Sequence, residues 1–371
     1  MPSLKNELDH AAAGRLASEL ALAWPDFPRR RFLRGLSDAL DPLELLARGD
    51  LLSDRLVANL PTEFGDAVSV LRRALDSATF TGWIVLPCGG FVARAGLDEP
   101  DTALPLLAEL TSRWSSEFAI RPFIASHPER TYRYLHDWLH HDDEHVRRLV
   151  SEGTRPRLPW ASRLRALVED PTSNIALLDA LVSDPSAYVR RSVANHLNDI
   201  TKDHPDVALD LATRWVSRGE PAAGVVRHGL RTLVKHGERR ALDLVGVGDE
   251  DLELTDLGVD RPRIGIGEDV ELTLTLALPT TAPAATDVIV DYRVHFVGAR
   301  GTPKAPKVFK LTRRRLAPGQ PVTIRRRHRF DHASIREIHP GRHQIDVQVN
   351  GRVLGSVHVD VAATADGRPP R

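Results

Sequence analysis

A single cysteine, Cys88, leaves no disulfide possible within the chain and no cysteine-based zinc site. Such scarcity fits a reducing interior. No apolar run is long enough to span a membrane, and the opening residues Met1–Glu7 lack the hydrophobic stretch of a secretory signal. A cytoplasmic location is therefore expected. Net charge is missing as well, with 50 basic residues against 50 acidic ones. That balance hides an asymmetry: residues 1–250 hold 31 basic and 36 acidic groups, residues 251–371 hold 19 and 14. Gly298–Arg342 carries 13 Lys and Arg against 2 Asp and Glu, and Val146–Arg165 carries 6 against 1. Patches of this kind bind polyanions even when the whole protein is near neutral.

At 371 residues the chain exceeds one typical core, which predicts two or three domains. Up to about Val245 the apolar residues recur at helical spacing, broken by Pro, Asp and Gly. Helices are expected at Phe27–Leu40, Pro42–Ala47, Glu144–Glu152, Pro159–Val168 and Ala187–Ile200, among others. The Gly-punctuated segment Thr81–Gly96 reads as a covering loop. Val146-Arg147-Arg148, Val189-Arg190-Arg191 and Val226-Arg227-His228 recur 43 and 37 residues apart, each after a polar turn. Repeats of this length suggest HEAT-like helical pairs stacked as an α-solenoid with a concave face. Beyond Val245 the pattern turns to alternation, with Asn350-Gly351 as a hairpin turn. About seven short strands predict an immunoglobulin-like β-sandwich, without the antibody-type disulfide. The expected domains are a helical one over 1–248 and a sandwich over 260–363, with Gly246–Asp260 as linker and Thr364–Arg371 as a loose tail.

The most specific stretch is Asp184–Pro205. Asp184-Pro185 starts a helix, and Tyr188, Val189, Ser192, Val193, His196, Leu197 and Ile200 form one apolar face. Arg191, Asn195 and Asp199, four residues apart, share another face, with Arg190 and Lys202 beside them. This wording, together with Ser151–Trp160, resembles the bacterial alkylation-repair DNA glycosylases of the AlkC/AlkD group, a family built on HEAT-like repeats. The Ig-like extension points to the AlkC branch. The resemblance implies excision of bases that a methyl group makes cationic, 3-methyladenine above all, from double-stranded DNA, by a monomer that needs no cofactor.

A cationic base is already primed to leave, so the protein must stabilise an oxocarbenium-like sugar and position a water. Carboxylates serve both ends, and an aromatic ring favours the cationic base. Asp199 fits the carboxylate role in the family motif; its plain alternative is a helix-end Asp bonded to Lys202. Glu152 occupies the same repeat position as Asn195, so both are expected on one surface; its alternative is a surface salt bridge. Glu117 is the third candidate, with a capping role as its alternative. Trp160, in a basic Pro-rich loop, is the aromatic candidate, while Trp114 and Trp138 read as core. Phosphate contacts are expected from Arg148, Arg155, Arg157, Arg190, Arg191 and Lys202, with Asn195 on the DNA-facing side.

In the sandwich, Arg313, Arg315, Arg325 and Arg327 are expected to oppose one another across a hairpin turning at Ala317–Gln320 and to grip DNA backbone. A solvated edge that discourages aggregation is the alternative. His127, His136, His140, His141, His145, His196 and His204 include i,i+4 pairs but no ordered carboxylate or cysteine set, so no metal is expected. The competing function is a non-catalytic HEAT scaffold that binds DNA or a protein.

Overall fold

Polar caps start the key helices of the first half. In the computed structural model, which describes residues 4–248, 250–332 and 337–363, Asp9, Asp143 and Ser186 accept backbone N–H groups at the N-termini of three helices. The helical region begins with α1 (His10–Ala23), α2 (Arg29–Leu33), α3 (Leu36–Leu40), α4 (Leu45–Asn59) and α5 (Phe64–Leu75). It continues with α6 (Leu86–Ala95), α7 (Pro100–Thr111), α8 (Arg121–Ser126), α9 (Pro128–Trp138) and α10 (Glu144–Gly153). Then come α11 (Arg165–Glu169), α12 (Thr172–Leu181), α13 (Ala187–Ile200), α14 (Pro205–Val216), α15 (Ala222–Gly229), α16 (Arg231–His236) and α17 (Arg239–Leu244).

Helices α10, α13 and α15 carry the three Val-Arg motifs and pack in that order, with Val146, Val189 and Val226 all buried. The first arginine of the motif has a repeated structural task. Arg147 donates to the carbonyls of His141 and Asp142, and Arg190 to those of Asp184 and Pro185, in each case five and six residues back. Arg147 also holds Asp184 through two bonds of 2.8 and 3.1 Å, so one repeat grips the turn that opens the next.

Several helical expectations are corrected. Thr81–Gly96 is a 3₁₀ turn, Gly82–Val85, followed by α6, not a loop. Its glycines serve close packing: a Cβ on Gly90 would overlap Ser53 Oγ of α4, and one on Gly89 would lie 3.2 Å from Ala119. Phe27–Leu40 splits at Gly35, whose φ of 64° breaks the helix. Pro42–Ala47 gives way to α4, which starts at Leu45, and Pro159–Val168 to α11, which starts only at Arg165.

Alternation builds the second half: β1 (Glu253–Val259), β2 (Arg263–Gly265), β3 (Asp269–Ala277), β4 (Thr286–His295), β5 (Lys307–Leu316), β6 (Val322–Arg329), β7 (Gly341–Val349) and β8 (Arg352–Ala362). One sheet runs β1-β3-β6 and the other β2-β8-β7-β4-β5. Val270, Leu272, Leu274 and Leu276 of β3 share a core with Val288, Val290, Tyr292 and Val294 of β4 and with Ile345 and Val347 of β7. Asn350 and Gly351 both take positive φ, as a tight β7–β8 turn requires. The expected linker Gly246–Asp260 contains β1, which pairs with β3, so it is partly sheet. The tail Thr364–Arg371 lies outside the described residues.

The two arginine runs do not form a hairpin. β5 pairs with β4 and β6 with β3, so the chain between them crosses from one sheet to the other. Arg315 lies opposite Asp287 and Arg325 opposite Thr273, rather than opposite each other. Arg313 pairs with Asp287 at 3.0 Å and Arg327 with Glu271 at 3.6 Å. The chain divides into two compact units, Met1–Ala208 with Ser217–Gly229, and Leu209–Val216 with Leu230–Arg371.

Candidate active site

Three carboxylates converge where α10 ends. Glu152 comes from the last turn of α10, Asp199 from the last turn of α13, and Glu117 from the turn that precedes α8. Two guanidiniums join them. Arg155 donates from Nε to Asp199 Oδ2 at 2.8 Å and from Nη1 to Glu152 Oε1 at 2.7 Å. Arg148 donates to Glu117 Oε2 at 2.8 Å and lies 3.6 Å from Glu152 Oε1. Ser115 Oγ donates to Glu117 Oε2 at 2.9 Å and receives Arg148 Nη1 at 3.1 Å. The network is deep, with Asp199 1 % and Glu152 5 % exposed.

The partners differ between the three. Both oxygens of Glu152 are engaged, Oε2 by Ser192 Oγ at 2.6 Å. Both oxygens of Asp199 are engaged, Oδ1 by Lys202 Nζ at 2.9 Å. Glu117 has donors only on Oε2 among the described residues. Burial alone would lower the Arg155 guanidinium, but its bonds to Asp199 and Glu152 hold it above its ordinary value. Arg155 therefore stays a cation between the two carboxylates.

The arginines expected at phosphates have the following partners within the protein. Arg148 and Arg155, expected at phosphates, are bound to carboxylates, and Arg190 is bound to backbone carbonyls of the preceding turn. Arg157 forms a paired contact to Asp203 at 2.5 and 2.6 Å and is half-buried. Arg191 and Lys202 are exposed. Asn195 Oδ1 lies 3.2 Å from His228 Nε2, so it reaches the next helix of the stack as Glu152 reaches Ser192. Tyr188, expected on the apolar face, is exposed instead, with the Arg148 guanidinium 4.8 Å above its ring.

Trp160 is 66 % exposed and takes a φ of 65°, a left-handed conformation that a bulky residue seldom adopts. It lies at a cleft of about 480 Å³ lined also by Ser115, Arg121, Arg163 and the α4–α6 glycines. Trp138 is buried, whereas Trp114 is half-buried and packs against Trp83, with ring centroids 4.6 Å apart. Sequence reasoning overlooked Ser115, Ser192 and Arg121. A hydroxyl on the buried stripe of α13 was the available signal for Ser192; nothing in the sequence singled out the other two.

Two of the histidines face backbone carbonyls. His196 is buried, with Nδ1 2.9 Å from Ser151 O, and His204 Nε2 lies 2.8 Å from Val168 O. Among the described residues no group of three or more His, Cys, Asp or Glu is arranged to hold a metal ion, and no helix is long and apolar enough to cross a membrane.

Comparison with known proteins bears on this site. Residues 253–363 match the family model described as "Uncharacterised protein YhaZ, C-terminal Ig-like domain". The chain is 33 % identical over 363 residues to Bacillus subtilis (strain 168) "Uncharacterized protein YhaZ", covering 97 % of this chain and 100 % of that one. Among solved structures it is similar to Pseudomonas fluorescens alkylpurine DNA glycosylase AlkC bound to DNA containing an abasic site analog. The identity is 37 % and the TM-score 0.92, with 98 % of this chain and 100 % of that chain covered.

Proposed function

The chain belongs to the family of YhaZ and the alkylpurine DNA glycosylase AlkC, and from that premise we propose that it hydrolyses the N-glycosidic bond of cationic alkylated bases, 3-methyladenine first, in double-stranded DNA. The observation that carries this reading is the set of three carboxylates, buried Glu152 and Asp199 with half-buried Glu117, held apart and oriented by Arg148 and Arg155. A scaffold has no use for such a set, since burying charge costs several kcal/mol per ion before pairing offsets it.

The residues divide the work as follows. The base carries its own positive charge, so bond breaking needs stabilisation of the sugar more than a proton donor. Asp199 and Glu152, each fully hydrogen-bonded, present fixed negative charge to an oxocarbenium-like sugar without reorganising. Glu117 has a carboxylate oxygen free of protein donors and is assigned to the attacking water. Trp160 offers an exposed ring to the cationic base. Arg157, Arg191, Asn195 and Lys202 are the candidates for backbone contact beside this site, and Arg313, Arg315, Arg325 and Arg327 supply the sandwich's contribution. The enzyme acts as a monomer in the cytoplasm, without a cofactor.

The test is release of free 3-methyladenine from alkylated DNA under single-turnover conditions. Glu117→Gln, Glu152→Gln and Asp199→Asn are each expected to slow release by about 100-fold or more, with DNA binding retained. Wild-type rates in all three variants would remove the assignment.

A further inference from the structure

Arg121 is a buried cation with no carboxylate partner. It is 3 % exposed and takes part in no salt bridge among the described residues. Its guanidinium donates to three backbone carbonyls instead: Nη1 to Gly153 O at 2.9 Å and Arg155 O at 2.7 Å, Nη2 to Ser162 O at 2.7 Å. The first is the last residue of α10 and the second lies just beyond its cap, where carbonyls lack helical partners and a positive charge is favoured. The third belongs to the loop that carries Trp160. Gly153 allows this approach, because a Cβ there would lie 2.6 Å from Ile120 Cγ2.

The arrangement is poorly explained by stability alone. Arg121 Nε is buried with no hydrogen-bond partner, a defect that costs about 1–3 kcal/mol. Burial, and after it Arg155, pulls the guanidinium down to about 10, so it remains charged at neutral pH in an unfavourable place. An apolar residue of similar volume would avoid both penalties. What it would not do is tie two segments together. The loop between Pro156 and Leu164 is otherwise held at its start, by Arg157 on Asp203 and by buried Leu158. Nearer Trp160, Ala161 N donates to Leu158 O at 3.3 Å and Leu164 N to Pro156 O at 3.2 Å. Within it Trp160 adopts a strained φ that needs outside support.

Resting on the glycosylase reading above, we propose that Arg121 is a positioning residue: by holding Gly153, Arg155 and Ser162 together, it keeps the Trp160 loop in register with the helix end that presents Glu152 and Arg155. It touches neither sugar nor base. Its effect on the reaction runs through the distance between the aromatic surface and the carboxylates, where a misplacement of about 1 Å is enough to slow chemistry by about 100-fold.

Full-length Arg121→Gln and Arg121→Lys variants test this. In Arg121→Gln the single-turnover release of 3-methyladenine should fall by about 10- to 100-fold, while the dissociation constant for DNA carrying an abasic-site analogue moves by less than about threefold. Amide hydrogens of Ala161 and Leu164 should exchange at least about tenfold faster, with those of α13 unchanged. Arg121→Lys, which keeps the charge and part of the bonding, should lie between. Millimolar guanidinium chloride should restore part of the rate in Arg121→Ala, and sodium chloride at the same concentration should not. An Arg121→Gln enzyme with the wild-type rate, or exchange accelerated evenly through the helices, would overturn the proposal. Absence of release by the wild-type protein would instead remove the glycosylase reading, and the exchange measurement would still decide whether Arg121 clamps the loop.

Discussion

Behind Glu152 runs a line of buried polar groups whose hydrogen-bond roles are all assigned by their neighbours. Ser192 Oγ donates to Glu152 and accepts from Ser151 Oγ at 2.6 Å. His196 Nδ1 must carry its proton, because it faces the carbonyl of Ser151, so Nε2 is the acceptor for Asn174 Nδ2 at 3.3 Å. Tyr132 closes the line, donating to Asn174 Oδ1 at 2.6 Å. Such a site suits only the neutral imidazole, and burial lowers His196 from 6.5 to about 4. As pH falls below about 6.5 the unfolded chain takes up this proton and the folded chain does not, until the pH nears 4. The stability contributed by His196 is thus complete above about 6.5 and is lost through that window. Urea unfolding should show a loss on the order of 2 kcal/mol from this group between pH 7 and pH 5. His196→Gln should remove that part of the slope; an unchanged slope would place the proton uptake elsewhere.

Among the elements, α6 shows most clearly how tertiary packing overrides local signals. Leu86-Pro87-Cys88-Gly89-Gly90-Phe91 has two adjacent glycines, which lower helix propensity by about 1 kcal/mol each relative to alanine. The helix forms because those glycines let α4 and Ala119 approach, while Cys88, Phe91 and Val92 are buried. Burial also pushes the Cys88 thiol up, out of the reactive range. Gly90→Ala should therefore destabilise the protein by about 1–3 kcal/mol, despite alanine being the better helix former. Gly14→Ala in α1, where nothing lies within 4 Å of the added Cβ, should stabilise it by up to about 1 kcal/mol. Thermal or urea melts of the two variants should move in opposite directions; movement in the same direction would refute the packing account. The same override explains the arginine runs. Their alternation showed that β5 and β6 are strands, but pairing is a non-local choice, and both strands found partners in separate sheets.

For the molecule as a whole, zero net charge conceals an uneven distribution: Arg148 and Arg155 of the helical region are engaged with carboxylates, while the arginines of β5 and β6 are exposed. Arg315, Arg325 and Arg327 lie exposed on β5 and β6. If they contact phosphates as proposed, replacing all three with serine should lower the slope of log affinity against log salt by up to about 3, at about 0.9 per contact. An unaltered slope would leave them as a solvated edge. Periodicity by itself determined the change from helices to strands near Val245, the Val-Arg repeat and the Asn350-Gly351 turn, because these depend on residues close together in the chain. The family wording around Asp199 and Glu152, and Glu117 apart from it, were legible as candidate carboxylates for the same reason. Only the tertiary structure decided what each arginine faces. Arg148, Arg155 and Arg190 look alike in sequence, yet two bridge carboxylates and one caps a turn, since a guanidinium on a long side chain takes whichever acceptor the fold brings within about 3 Å. Arg121 carried no signal at all, because its partners are backbone carbonyls from segments 32 to 41 residues away, and every residue type presents the same carbonyl.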